Sequence, residues 1–179
     1  EWNCKGPWHD PARLETQTYR AALRKTADRY YQVTHDAVRR YDPNHLILGD
    51  RYEAKALVPD EVLQAAVPFV DVLSFQFFDE PKPVSLGLKR WHEMTGKPVL
   101  LADACVPHRD PVFYEPMIRA LRELPGCVGW HVCGAYLRNN CRCAGFRDEY
   151  EQPIATLIEQ ATTANRETIK WIEAWLNPA

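Results

Sequence analysis

The sequence lacks the features that would place it at once in several functional classes. Across 179 residues, no apolar run reaches the ~18 residues of a membrane span. Net charge is only −2, so there is no electrostatic footprint for nucleic acid or for an acidic membrane surface. No Gly-x-Ser-x-Gly motif is present, which leaves a Ser-His-Asp hydrolase without support. C-x₂-C pairs, the spacing that marks a zinc site, are missing as well. The chain opens on Glu1 with no basic-then-apolar segment, so it shows no signal peptide, as a mature or excised chain also would not. No internal repeat or low-complexity tract interrupts it.

What is present is a core. Hydrophobic residues make up 46% of the chain, and its length fits one domain spanning residues 1–179. Residues 1–13 are turn-rich and read as a loop. From Leu14 to Tyr41 the positions Leu23, Ala27, Tyr30, Thr34, Ala37, Val38 and Tyr41 recur at helical spacing, with Arg24, Lys25, Arg39 and Arg40 on the outer face. Asp42-Pro43-Asn44 stops that helix, because proline bars its continuation. Strands are expected near 46–51, 70–77, 98–103 and 127–132. Helices follow over 59–67, 83–95, 112–124 and from Pro153 onward, the last turning Ile154, Leu157, Ile158, Ala161, Ile169, Ile172 and Leu176 toward the core. Strand–helix alternation implies parallel strands with right-handed crossovers. The fold class is therefore α/β: four βα units after a long helix, half the number in an eight-unit (β/α)8 barrel.

Lys97-Pro98-Val99-Leu100-Leu101-Ala102-Asp103 organises this reading. An apolar run entered through Gly-Lys-Pro and left through a carboxylate is a buried parallel strand. Asp103 sits at its C-terminal end, where α/β proteins place their chemistry, although such an aspartate can equally cap the next loop. The other strand ends present Asp50 and Arg51, Gln76, and Trp130 with His131. Residues 133–152 form a polar loop long enough to suggest a functional role.

Aromatic residues form 11% of the chain, with six Trp. Trp171 and Trp175, four apart, are expected in the core, whereas Trp130 fits core packing or a sugar-stacking platform. The six cysteines, Cys4, Cys105, Cys127, Cys133, Cys141 and Cys143, admit three readings. They can be disulfides of an oxidised compartment, which would suit a secreted origin, thiolate metal ligands, or free thiols packed as small hydrophobes.

Four stretches resemble one family. Residues 30–51, ending in Tyr-Asp-Pro-Asn-His-Leu-Ile-Leu-Gly-Asp-Arg, are similar to the segment from helix four to strand five of retaining glycoside hydrolases with TIM barrels, the agarase-like and cellulase-like clan. Val70–Phe78 resembles their sixth strand, Lys97–Asp103 the seventh and Gly126–His131 the eighth. The resemblance covers residues 19 to 153 and implies the C-terminal half of such a barrel. The family's seventh strand ends in Gly-Glu, with Glu as nucleophile. Here Ala102-Asp103 stands there, its carboxylate about one methylene further back.

The resemblance implies hydrolysis of O-glycosidic bonds with Asp103 as nucleophile and Glu1, in Glu1-Trp2-Asn3, nearest the acid/base position. Trp130 would stack on a sugar ring. Gln76, His131, Asp50 and Arg51 would bind hydroxyls or fix the nucleophile's charge. No metal or organic cofactor is called for. Two other classes stand beside this one. The first is a non-catalytic carbohydrate-binding or structural half-barrel, favoured by the Asp substitution and the absent strands one to four. The second is a metal site built from Cys133, Cys141 and Cys143 with His108 or His9. A four-stranded half-barrel would leave two bare strand edges. The expected partners are therefore a carbohydrate and either a second copy of the chain, in a homodimer, or the missing N-terminal half.

Overall fold

The computed structural model describes residues 16–56, 58–104, 114–132, 145–148 and 150–177. Helices and strands alternate throughout: α1 (Gln17–Tyr41), β1 (Arg51–Glu53), α2 (Asp60–Ala66), β2 (Leu73–Gln76), α3 (Pro81–Thr95), β3 (Val99–Ala104), α4 (Tyr114–Arg122), β4 (Cys127–Val132) and α5 (Ala155–Leu176). Among the described residues, no helix is long and apolar enough to cross a membrane. The chain forms two compact units, residues 1–49 with 56–72, and residues 50–55 with 73–179.

The first unit is built on α1 and α2. Thr16 caps α1 by accepting from the Tyr19 N–H at 3.3 Å, satisfying one of the donors a helix N-terminus leaves unpaired. Ala27 and Tyr31 of α1 are buried, as are Leu63, Ala65 and Ala66 of α2. Tyr30, Val38 and Tyr41, expected on the buried face, are exposed. With only seven residues, α2 covers about two turns of a much longer helix.

The first strand is where sequence and structure part. Leu46-Ile47-Leu48 reads as its body, yet the ladder begins only at Arg51. Two facts account for this. The Asp71 carboxylate accepts from the Ile47 N–H at 2.7 Å, and the Ile47 carbonyl accepts from the Asp71 N–H at 2.8 Å, so both of Ile47's backbone groups are taken. Gly49 then turns the chain with φ +66°, outside strand geometry. Arg39 fixes the same corner, donating to Asp71 at 2.6 Å and to the His45 carbonyl at 2.6 Å.

The second unit holds a four-stranded sheet of order β1-β2-β3-β4, every pair parallel. Tyr52, Phe75, Leu101 and Trp130 align in one row across it. Phe75 and Leu101 are fully buried, and Phe75 stacks on Trp91 of α3 with ring centroids 4.1 Å apart and planes at 7°. Val84 and Leu88 bring the rest of α3 into this core. α3 ends at Gly96, whose left-handed φ of +68° lets its N–H reach the His92 carbonyl at 2.8 Å. A second cluster joins Tyr114 and Ile118 of α4, Val132 of β4, and Ala161 and Ala164 of α5, with Trp130 and Phe146 packed against it.

Only the first half of α5 is buried, through Leu157, Ala161 and Ala164. Trp171 and Trp175 are exposed, at 45% and 72%, and so are Ile158, Ile169, Ile172 and Leu176, against the core placement expected for them. Length supplies the reason. α5 has 22 residues, about 33 Å, while its helical partner α4 has nine, about 14 Å. The apolar stripe therefore runs on beyond the helix it packs against.

Replacing Phe75 by Ala removes a fully buried ring from the Trp91 stack. It should cost about 3–5 kcal/mol of stability, read from the urea midpoint, with Phe75→Leu costing distinctly less. Gly126→Ala should also destabilise. Its φ is +79°, and a Cβ there would run into the His92 ring.

Candidate functional site

The site is set by one irregularity in the sheet. Along β2 and β3, Phe75 pairs with Leu101 but the next pair is Gln76 with Asp103, so Ala102 is skipped. A strand turns successive side chains to opposite faces, and an extra residue reverses the alternation beyond it. Leu101 stays in the buried row with Phe75, while Asp103 joins the row of Glu53 and Gln76. Glu53, Gln76 and Asp103 thus gather at the C-terminal ends of three parallel strands, and Arg51, the first residue of β1, joins them as the ion-pair partner of Asp103.

Asp103 is 7% exposed, and its Oδ2 accepts from Arg51 Nη1 in a short ion pair that reaches across β2. A carboxylate this buried needs such a partner, because desolvating an unpaired charge is costly. Its backbone carbonyl accepts from the Phe77 N–H at 3.1 Å, fixing the strand end. Gln76 Nε2 donates to Glu53 Oε2 in another short hydrogen bond, and the Lys55 N–H donates to Glu53 Oε1 at 3.1 Å. Beyond them, Lys55 Nζ pairs with Asp79 at 3.1 Å. The Glu80 backbone N–H, together with Lys55, holds the Asp79 carboxyl below its usual range.

The residues expected from the sequence are placed as follows. Asp103, Arg51 and Gln76 come together. Asp50 contributes its backbone carbonyl, which accepts from Ser74 Oγ at 3.0 Å. His131 is exposed near the end of β4. Trp130 lies elsewhere, in a T-shaped contact with Tyr114 with centroids 4.7 Å apart, partly buried against the α4–α5 cluster. Burial there also pushes the Tyr114 hydroxyl above its ordinary pKa. Glu1 lies outside the described residues. So do Cys4, Cys105, Cys133, Cys141, Cys143, His9 and His108. Cys127 is a free, partly buried thiol whose pKa burial raises. Among the described residues, no group of three or more His, Cys, Asp or Glu side chains could hold a metal ion.

Glu53 and Lys55 are the members that sequence reasoning missed. Ending the first strand at Arg51 hid them, although Arg51-Tyr52-Glu53 carries the period-two signal that puts 51 and 53 on one face.

No protein-family model matches the sequence, and no curated protein matches it. Solved structures do share its fold. PfGH50B superposes with a TM-score of 0.73 at 22% identity, over 85% of this chain and 26% of that one. The agarase AgWH50C gives 0.69 at 22% identity, over 91% and 28%. BpGH50 gives 0.68 at 20%, over 90% and 40%. This chain thus spans between about a quarter and two fifths of the length of these structures. What is shared is a glycoside-hydrolase-like α/β fold.

Two outcomes follow from the geometry. Arg51→Gln should destabilise the fold by about 1–3 kcal/mol by leaving a buried carboxylate without its charged donor, and Asp103→Asn in the same chain should recover part of that loss. A double-mutant cycle in urea reads both. Because its raised pKa lowers the thiolate fraction, Cys127 should alkylate more slowly in the folded chain than in urea, as peptide mass mapping can follow.

Proposed function

We propose that residues 1–179 form a (βα)4 half-barrel domain supplying strands five to eight of a TIM barrel. In this reading the chain hydrolyses O-glycosidic bonds of a polysaccharide or oligosaccharide with retention of configuration. The observation that carries it is the Arg51–Asp103 pair, a buried carboxylate at the C-terminal end of a parallel strand, in a fold shared with glycoside hydrolase structures.

In the first step an Asp103 oxygen attacks the anomeric carbon and forms a glycosyl ester. The bond to the leaving oxygen breaks, and that oxygen takes a proton from the acid, Glu1 in this reading. Water then attacks the same carbon and gives its proton to Glu1, and the ester bond breaks to release Asp103 as carboxylate. Arg51 orients Asp103 and faces its charge, while Gln76, Asp50 and His131 supply hydroxyl contacts. Trp130, packed on Tyr114, supports the strand end that carries His131. Because AgWH50C is an agarase, agar is the first polysaccharide to test.

The short Asp103 side chain, tied to Arg51, favours one second reading: a carbohydrate-binding half-barrel that retains the cleft without the chemistry. For either reading, β1 and β4 are the outer strands of the described sheet. Their free sides would pair with an N-terminal half of the barrel or with a second copy of this chain.

Asp103→Asn should abolish release of reducing ends from agar while leaving the circular dichroism unchanged, and Asp103→Glu should raise the rate. Turnover by the Asn variant removes Asp103 from the mechanism. Binding to agar oligosaccharides without turnover in any variant selects the non-catalytic reading. Light scattering tests the partner: the 179-residue chain should run as a dimer, and a well-folded monomer at micromolar concentration defeats that expectation.

A further inference from the structure

We propose that Glu53 is a positioning residue of this site: it fixes the side-chain amide of Gln76 so that the amide oxygen serves a sugar hydroxyl beside Asp103. This rests on the carbohydrate reading above. Glu53, Gln76 and Asp103 stand in register on three adjacent strands, which puts the two carboxylate-bearing positions about 10 Å apart with Gln76 between them.

A glutamine amide presents donors on one branch and an acceptor on the other, and its two orientations differ only by exchanging them. An ionised carboxylate accepts and never donates. With Glu53 Oε2 on one side, the favoured orientation turns Nε2 toward β1, and this is the hydrogen bond observed. Oε1 is then turned away from Glu53. In the reverse orientation two acceptors would face each other across that contact, and the Gln76 N–H groups would be turned from Glu53 toward the β3 side of the row.

Glu53 is itself anchored. The Lys55 N–H holds its Oε1 at 3.1 Å, while the Lys55 ammonium is drawn to Asp79 rather than to Glu53. Asp103 has a separate donor in Arg51. Donors and acceptors are therefore matched in two independent pairs, Arg51 to Asp103 and Gln76 to Glu53. The amide oxygen left over is an acceptor suited to a hydroxyl group.

The test uses Glu53→Gln and Glu53→Asp in the full chain, with two readouts. The first is the pair of Gln76 side-chain amide resonances, assigned by their loss in Gln76→Ala. In wild type and Glu53→Asp they should lie away from the free-glutamine positions and exchange slowly with water, and in Glu53→Gln they should move toward those positions and exchange faster. The second is binding of an agar tetrasaccharide by calorimetry, which should weaken about tenfold in Glu53→Gln and less in Glu53→Asp. Unchanged Gln76 resonances in Glu53→Gln, or equal tetrasaccharide affinity in Glu53→Gln and wild type, overturn the positioning role. Absence of binding by wild type, with the amide pair behaving as expected, overturns the carbohydrate reading alone.

Discussion

Burying a carboxylate at the end of a strand is the demand around which the second unit is arranged. An aspartate at 7% exposure survives only with a charged donor at hand, and none of its neighbours on β3 can supply one. The donor comes from β1, two strands away, because an arginine side chain is long enough to reach across β2. For that reach to work, Asp103 has to share a face with Arg51, and without the skipped residue at Ala102 it would share one with Leu101. The bulge, the ion pair and the hydrogen-bonded Glu53–Gln76 pair are thus one arrangement. Apolar packing on the opposite face backs it, chiefly through the Phe75–Trp91 stack.

How much of this could be read from residues alone varied with how local each signal was. The strand from Val99 is legible because its apolar run is bounded by proline and a carboxylate, and β4 runs over the residues its apolar stretch predicts. Strand–helix alternation sufficed for parallel pairing. The first strand failed because Leu46-Ile47-Leu48 is apolar for a different reason. Asp71, twenty-four residues on, takes both backbone groups of Ile47, and no window around Ile47 contains that information.

Asp103 and Gln76 are marked in the sequence by their place at strand ends, whereas Arg51, expected at the end of a strand over 46–51, begins β1 instead. Their grouping is not so marked, since the faces they occupy depend on a bulge that leaves no compositional trace at Ala102. Trp130 shows the converse. Its residue type suggests a platform for sugars, and its register with Leu101 sets it, partly buried, against the ring of Tyr114, a neighbour the sequence does not reveal. Helical spacing alone would put Trp171 and Trp175 in the core, yet both are exposed. Spacing says which face a residue is on, not whether anything lies against that face.

The parallel topology also bears on when the site comes into being as the chain folds. Arg51 and Asp103 are fifty-two residues apart in sequence, and the strand between them pairs with both. Parallel neighbours cannot close through a tight hairpin, so each pairing waits on a helical crossover and its loop-closure entropy. Neither α3 docked on β2 nor β3 docked on β2 creates the ion pair. It forms only once three strands and two connections are in place. Sheets of such non-local contacts fold slowly compared with helical bundles. On the ribosome, Arg51 would emerge long before its counter-charge, and until β3 docks the chain holds its parts but not its site.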